Sequence, residues 1–289
     1  MMENILQIKN LTKQYESFTL DDLSLTVPPG TIMGLIGENG AGKTTTIKLI
    51  LNHIHKNSGT VEVFGLDNIT NEAEVKDRIG VVLGECNFHE QFTAKNINSI
   101  LKNIYSKWDS ALFFDYLTRF DVPANKKIKE LSKGMKVKLS IASALSHAPE
   151  LLILDEATSG LDPVVRSEIL DIFLEFIQDE RKSILFSSHI TGDLEKIADY
   201  IAFIHKGKLV FSKSKDDILY GFGIAKCGEE AFATLDKTDV LAYRKNKFGY
   251  EVLVDDAPLA RAKYDGMCID KPTIEEIMTL YVRGARQEQ

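Results

Sequence analysis

Apolar and polar positions alternate along Ile5–Ile8 and Leu20–Val27, the period of a half-buried strand. Pro28-Pro29-Gly30 then marks a turn. Thr31–Ile36 is a short apolar run, the pattern of a strand buried on both faces. A glycine-rich loop separates it from a predicted helix over Lys43–Leu51. Ser58-Gly59 reads as a turn into a strand over Thr60–Phe64. Ile79–Leu83, Leu151–Leu154 and Ile184–Ser187 read as further buried strands. Between the last two, Val165, Ile169, Ile172, Phe173, Phe176 and Ile177 recur at helical spacing. From Asn87 to Ser146 the pattern is helical, with Leu101, Ile104, Tyr105 and Trp108 spaced for one face.

Strands alternating with helices predict an α/β fold around a parallel sheet, interrupted by a helical insert at about residues 87–146. Near Lys213 the character changes. Val240–Tyr243 and Tyr250–Val254 predict a hairpin around Lys245–Lys247. Thr273-Ile274-Glu275-Glu276 has the form of a capping box, and the helix after it carries Ile274, Ile277, Met278, Tyr281 and Val282 on one face. The expected division is a domain over residues 1–212 and a small α+β appendage over 213–289.

Composition narrows the function classes. A chain of 289 residues is long enough for about two domains and a sizeable core. Its net charge of -7 offers no general attraction to nucleic acid or acidic lipid, so no nucleic-acid partner is expected. Cys86, Cys227 and Cys268 form no CxxC pair, which excludes a disulfide framework or a zinc site and suits a reducing cytoplasm. Met1-Met2-Glu3-Asn4 lacks the basic start of a signal peptide. The longest uncharged stretch, Leu23 to Gly37, is broken by Pro28, Pro29 and Gly30, so no membrane span is expected.

The chemistry concentrates in two places. Gly37-Glu38-Asn39-Gly40-Ala41-Gly42-Lys43-Thr44 matches G-x-x-x-x-G-K-[ST], with a strand before it and a helix after it. Glycines let backbone N–H groups close around a polyphosphate, and the helix start adds positive partial charge. Lys43 is placed to reach the β and γ phosphates, and the Thr44 hydroxyl to ligate Mg²⁺, with Thr45 beside it. The three glycines do not form the G-x-G-x-x-G of a dinucleotide site, where Lys43 would have no role. The second place is Leu151–Glu156, four aliphatic residues that deliver Asp155 and Glu156 to the carboxyl edge of the sheet, where open α/β folds bind ligands. There Asp155 can reach a metal shell, and Glu156 can hold an attacking water as general base.

Three further segments narrow a P-loop NTPase core. Leu131-Ser132-Lys133-Gly134-Met135 precedes the acidic strand, Ser159-Gly160-Leu161-Asp162 follows it, and His189 ends the strand after that. In order and spacing, residues 1 to about 212 resemble the nucleotide-binding subunit of exporter-type ABC transporters. The resemblance implies an antiparallel β subdomain beside the parallel core, and the following roles. Tyr15 stacks on adenine, or is a partly buried strand-end tyrosine; aromatics stack readily on bases. Ser132 and Gly134 cap the γ-phosphate of ATP held by an opposite subunit, a role compatible with Ser132 as a plain helix cap. Asp162 couples the two sites, and His189 contacts the γ-phosphate.

Two departures stand out. The usual signature is Leu-Ser-Gly-Gly-Gln, and here Lys133 and Met135 replace its third and fifth residues. The segment Ile79–Glu85 aligns with one that ordinarily ends in a glutamine that ligates Mg²⁺ and senses the transmembrane partner. Here Glu85 takes that position; a carboxylate can ligate Mg²⁺ but adds negative charge beside a polyphosphate.

The implied function is ATP hydrolysis by a homodimer, or a mixed dimer with a similar ATPase, that powers a membrane exporter of drug, peptide or lantibiotic-like cargo. The implied cofactors are ATP and Mg²⁺. The implied location is cytoplasmic, peripheral on the inner face of the cell membrane, with a separate permease docking near Glu85–Gln91 and the helical insert. The C-terminal helix resembles the tail of such exporters and fits a dimer-stabilising or solubilising tail equally well. Three alternatives fit less well. A soluble ABC ATPase of ribosomes usually joins two ATPase halves, and this chain has one phosphate loop. A chromosome ATPase needs sustained heptads that the insert lacks. A module that binds ATP without turnover has no need of Glu156.

Overall fold

The computed structural model describes residues 4–84 and 86–285. The chain divides into two compact units, Met1–Ser212 and Lys213–Gln289.

The first unit joins two sheets. Strands β1 (Leu6–Gln14), β2 (Thr19–Val27), β4 (Ser58–Val63) and β5 (Leu66–Asp67) make an antiparallel sheet in the order β2-β1-β4-β5. Strands β3 (Ile32–Ile36), β6 (Ile79–Leu83), β7 (Leu151–Asp155), β8 (Ser183–Ser187), β9 (Tyr200–His205) and β10 (Lys208–Ser214) make the other, in the order β10-β9-β3-β8-β7-β6. Pairings from β9 through β6 are parallel. Every residue of β3, β7 and β8 is buried, because helices or the other sheet cover both faces, and their sequences are accordingly apolar almost throughout. Helix α1 (Lys43–Ile50) contributes Ile47 and Ile50 to a core shared with Leu6, Leu23 and Val61 of one sheet and Leu35, Ile153 and Leu185 of the other.

Helices α2 (Glu72–Asp77), α3 (Ala94–Leu101), α4 (Ser110–Arg119), α5 (Lys133–Leu145), α6 (Pro163–Phe176) and α7 (Thr191–Ile197) complete the unit. The α6 residue Phe173 sets its ring edge-on against Phe186 of β8, 5.8 Å between centroids, and both rings are fully buried. Among the described residues no helix is long and apolar enough to cross a membrane.

Three local expectations in this unit are corrected. β1 continues past Ile8 because a bulge at Asn10, with φ 49°, shifts the register and returns Leu11 to the core, so simple alternation fails there. Ser58-Gly59 is not a turn but the start of β4; a Cβ on Gly59 would lie 2.4 Å from the Asn10 carbonyl oxygen, so glycine is required by close strand approach. The insert is not continuous helix: α3 stops at Leu101, and Ile104 is 64% exposed. Tyr105 instead stacks on the buried His147, and the Trp108 Nε1–H donates to Asn98 Oδ1 at 2.9 Å.

The second unit begins with α8 (Lys215–Gly221) and continues β11 (Gly223–Cys227), α9 (Glu229–Ala233), β12 (Ala242–Asn246), β13 (Gly249–Val254), α10 (Ala257–Lys263), β14 (Cys268–Asp270) and α11 (Ile274–Arg283). Its antiparallel sheet runs β12-β13-β11-β14, so β11 to β14 follow the split β-α-β order of a ferredoxin-like unit. Phe232 of α9 and Ala257 and Ala260 of α10 pack on one face with Ala225, Val252 and Ile269. Helix α11 lies on the other, and its capping box forms as read, with Thr273 and Glu276 exchanging hydrogen bonds. Its buried stripe is Ile274, Ile277 and Leu280 rather than the face drawn through Val282. The hairpin turns one residue later than expected: Asn246 pairs with Gly249, Lys245 lies inside β12, and Lys247-Phe248 forms the connection.

Phe173→Ala removes the wedge between α6 and β8 and should cost about 3–5 kcal/mol. The measurement is the urea midpoint at unchanged m-value; a loss well under about 1 kcal/mol would show that this contact does not hold helix to sheet.

Candidate functional site

Residues 37–42 turn the chain from β3 into α1. The turn is tight: a Cβ on Gly37 would sit 2.4 Å from the Ile204 carbonyl oxygen of β9. The Ala41 N–H donates to Glu38 O at 3.1 Å, and the Gly207 N–H donates to Ala41 O at 2.9 Å. Gly42 is the cap of α1 and brings no side chain to its first amides, and the first turn, Lys43-Thr44-Thr45, holds no acid. Open amides at the positive end of a helix suit an anion. Glu38 Oε1 lies 2.9 Å from Nδ1 of the buried His205.

Lys43 is 6% exposed, and its amine donates to Gly37 O at 2.8 Å and Glu38 O at 3.3 Å. It also lies 3.7 Å from Glu156 Oε1. Burial pulls its pKa below the ordinary lysine value, against the opposing pull of the Glu156 and Asp155 charges. Next in the helix, the Thr44 hydroxyl donates to Asp155 Oδ2 at 2.9 Å. The other Asp155 oxygen accepts from Ser187 at the end of β8. Asp155 and Ser187 are paired across β7 and β8, so sheet register sets this contact.

Glu156 leaves the strand with φ 55°, a left-handed conformation that costs a non-glycine residue on the order of 1–2 kcal/mol. Its N–H donates to Ser187 O at 3.0 Å. Its Oε2 meets His189 Nδ1 at 2.5 Å and accepts from the His189 backbone N–H at 3.4 Å. A cleft of about 680 Å³ runs over this group, and Glu38, Asn39, Gly40, Gly42, Lys43, Thr44, Thr45, Glu156 and His189 all line it.

Ser132, Gly134 and Asp162 lie on a different cavity, of about 380 Å³. Ser132 accepts from the Met135 N–H at 3.2 Å as the cap of α5. Asp162 caps α6, accepting from the Val164 and Val165 N–H groups, with Pro163 in the first turn. Lys133 reaches across, its amine 2.4 Å from where a Cβ on Gly160 would stand. The chain therefore brings its candidate residues together in two groups.

Tyr15 is 45% exposed at the end of β1, with its ring 6.5 Å from that of Phe18. Phe18, not Tyr15, lines the cleft. Phe18 was not named from the sequence, although an aromatic just before β2 was available as a signal. Ser187 and His205 were also missed as site supports; both act through register and packing, which no local motif encodes. Glu85 lies outside the described residues.

With this geometry in hand, comparison with known proteins is direct. The ABC transporter family profile matches residues 20–159. The bacitracin transport ATP-binding protein BcrA of Bacillus licheniformis is 38% identical over 215 residues, covering 72% of this chain and 69% of the relative. The lantibiotic transport ATP-binding protein SrtF of Streptococcus pyogenes is 33% identical over 215 residues, covering 73% and 92%. A solved ATP-binding subunit of an ABC transporter superposes with a TM-score of 0.68 at 27% identity, covering 74% of this chain and 91% of that one. A glycine loop on a helix start, two strand-end acids facing its lysine, and relatives of this closeness lead to one assignment: the chain belongs to the ABC transporter family, as one of its ATP-hydrolysing, ATP-binding subunits.

Proposed function

We propose that this subunit dimerises around ATP and powers an exporter whose membrane-spanning permease is a separate chain. The observation that carries the dimer is the separation within one chain of the Lys43–Glu156 cleft from the Ser132–Asp162 cavity. In a head-to-tail pair each cleft meets the partner's Ser132 and Gly134, and the γ-phosphate contacts both halves. Hydrolysis removes that bridge and the closed state loses its differential contacts. Two identical copies satisfy this geometry, as does a mixed pair with a similar ATPase. The ATP-binding domain is residues 1–212, with its insert at about 87–146, and residues 213–289 form an accessory domain. Work of this kind places the subunit on the cytoplasmic face of the cell membrane. The bacitracin and lantibiotic transport relatives support peptide-like cargo.

Mg²⁺ fits the donor set. Thr44 and Asp155 present hard oxygen ligands 2.9 Å apart, suited to a shell completed by phosphate and water. The described residues hold no cluster of three or more His, Cys, Asp or Glu that would supply an all-protein cage. When bound, the ion draws charge off the β and γ phosphates. Lys43 binds those phosphates, and Glu156 orients and deprotonates the attacking water. His189, hydrogen-bonded to Glu156, steadies that carboxylate beside the γ-phosphate.

Glu156→Gln should bind ATP with parental affinity, lose turnover by about 10²–10⁴-fold, and accumulate an ATP-dependent dimer in size-exclusion chromatography. Parental hydrolysis by this variant would falsify the base assignment. Lys43→Ala removes a charge-assisted contact worth about 1.5–3 kcal/mol, so titration calorimetry should read ATP binding roughly 10–150-fold weaker. An unchanged Kd would remove Lys43 from the phosphate site.

A further inference from the structure

Asp193, in the first turn of α7, is a carboxylate buried to 2% exposure that lines neither cavity described above. A carboxylate in that position ordinarily serves the open amides of its own helix. This one turns outward to another segment. Its Oδ2 accepts from the Thr158 hydroxyl at 2.8 Å, and Thr158 is itself fully buried. The same oxygen stands 4.0 Å from Arg166 Nε of α6, a buried nitrogen with no hydrogen-bond partner among the described residues. The Arg166 NH2 group donates onward to Leu161 O at 3.4 Å.

The chain positions set this arrangement beside the candidate site residues. Thr158 follows Glu156 by two residues, and Asp193 follows His189 by four. Leu161 immediately precedes Asp162. One buried acid therefore hydrogen-bonds the segment carrying His189 to the start of the loop that runs from Glu156 to Asp162, and faces, at 4.0 Å, the arginine that reaches Leu161 at the loop's other end. The direct Glu156–His189 contact is exposed to solvent on its histidine side, where His189 is 49% exposed. The Asp193 tie is buried, so water competes with it far less. Burying a charge is costly where an apolar residue could pack instead, and the hydrogen-bonded hydroxyl and facing guanidinium are what this position gains in return.

The geometry points to Asp193 as a positioning residue of the ATPase site: with Thr158 and Arg166 it clamps the His189 segment and the Glu156–Asp162 loop into one body. The inference rests on the reading that Glu156 and His189 serve hydrolysis. The clamp sets how Glu156 faces water and carries any movement of His189 into the loop bearing Asp162. Nucleotide affinity is set by the Lys43 loop and does not depend on it.

The test is a series at Thr158 and Asp193 measured beside Glu156→Gln. Thr158→Val keeps the volume and deletes the hydroxyl; it should lower kcat about tenfold while the Kd for ATP stays within about twofold. Thr158→Ser should restore kcat. Asp193→Asn keeps an acceptor for Thr158 but removes the charge facing Arg166, and its effect should be less than additive with Thr158→Val. If Thr158→Val lowers only the unfolding midpoint and leaves kcat per folded molecule unchanged, the pair is structural and the clamp is overturned. The same follows if Thr158→Ser fails to restore turnover. Should Thr158→Val fail to fold, Asp193→Asn decides alone: parental kcat overturns the clamp. A clamp that fails while Glu156→Gln is inactive leaves the hydrolysis reading standing; parental turnover by Glu156→Gln ends both.

Discussion

A lysine amine buried between two loop carbonyls and facing two strand-end acids is the interaction on which the rest of this structure depends. Lys43 can sit there only because β3 and β7 are separated by β8 alone, so the phosphate loop and the acidic strand end emerge close together at one edge of the sheet. The parallel register aligns Asp155 with Ser187, and Ser187 holds both Asp155 and the Glu156 backbone. The apolar runs of β3, β7 and β8 are therefore more than core: they set the sub-ångström placement of charges at their ends. Sites built on packed strands keep such placement better than sites on free loops.

Electrostatics at that edge are balanced rather than permissive. Lys43 is partly desolvated, and the acids opposite it offset the penalty of keeping its charge. On the function proposed above, a polyphosphate entering the cleft would meet the open amides of α1 and a cation already largely buried, where each contact is stronger than in water. Ser132 caps helix α5, Gly134 lies in its first turn and Asp162 caps α6, so these three stand on the second cavity and not on the Lys43–Glu156 cleft.

Much of this was legible in the residues alone. The phosphate loop, the acidic strand end, the capped starts of α5 and α11 and the buried strands follow from local patterns of spacing and chemistry. What escaped was set by distant partners. The bulge at Asn10 inverts the parity of β1, so Leu11 broke the alternation that announces a strand. Gly59 looked like a turn because the strand it nearly touches is some fifty residues away in sequence. Tyr105 and Trp108 kept helical spacing while their rings went to His147 and Asn98 instead. Ser187 carries no motif; only the β7–β8 register brings it to Asp155.

The left-handed backbone at Glu156 has an evolutionary reading. If Glu156 is the base proposed above, chemistry asks for a long carboxylate where the main chain prefers glycine or asparagine. An exchange to glycine would relax strain of about 1–2 kcal/mol, so drift at this one position runs toward a sturdier but silent protein. In a transporter assembled from two different ATPase copies, that bias would let one of them decay into a regulatory partner without any loss of fold.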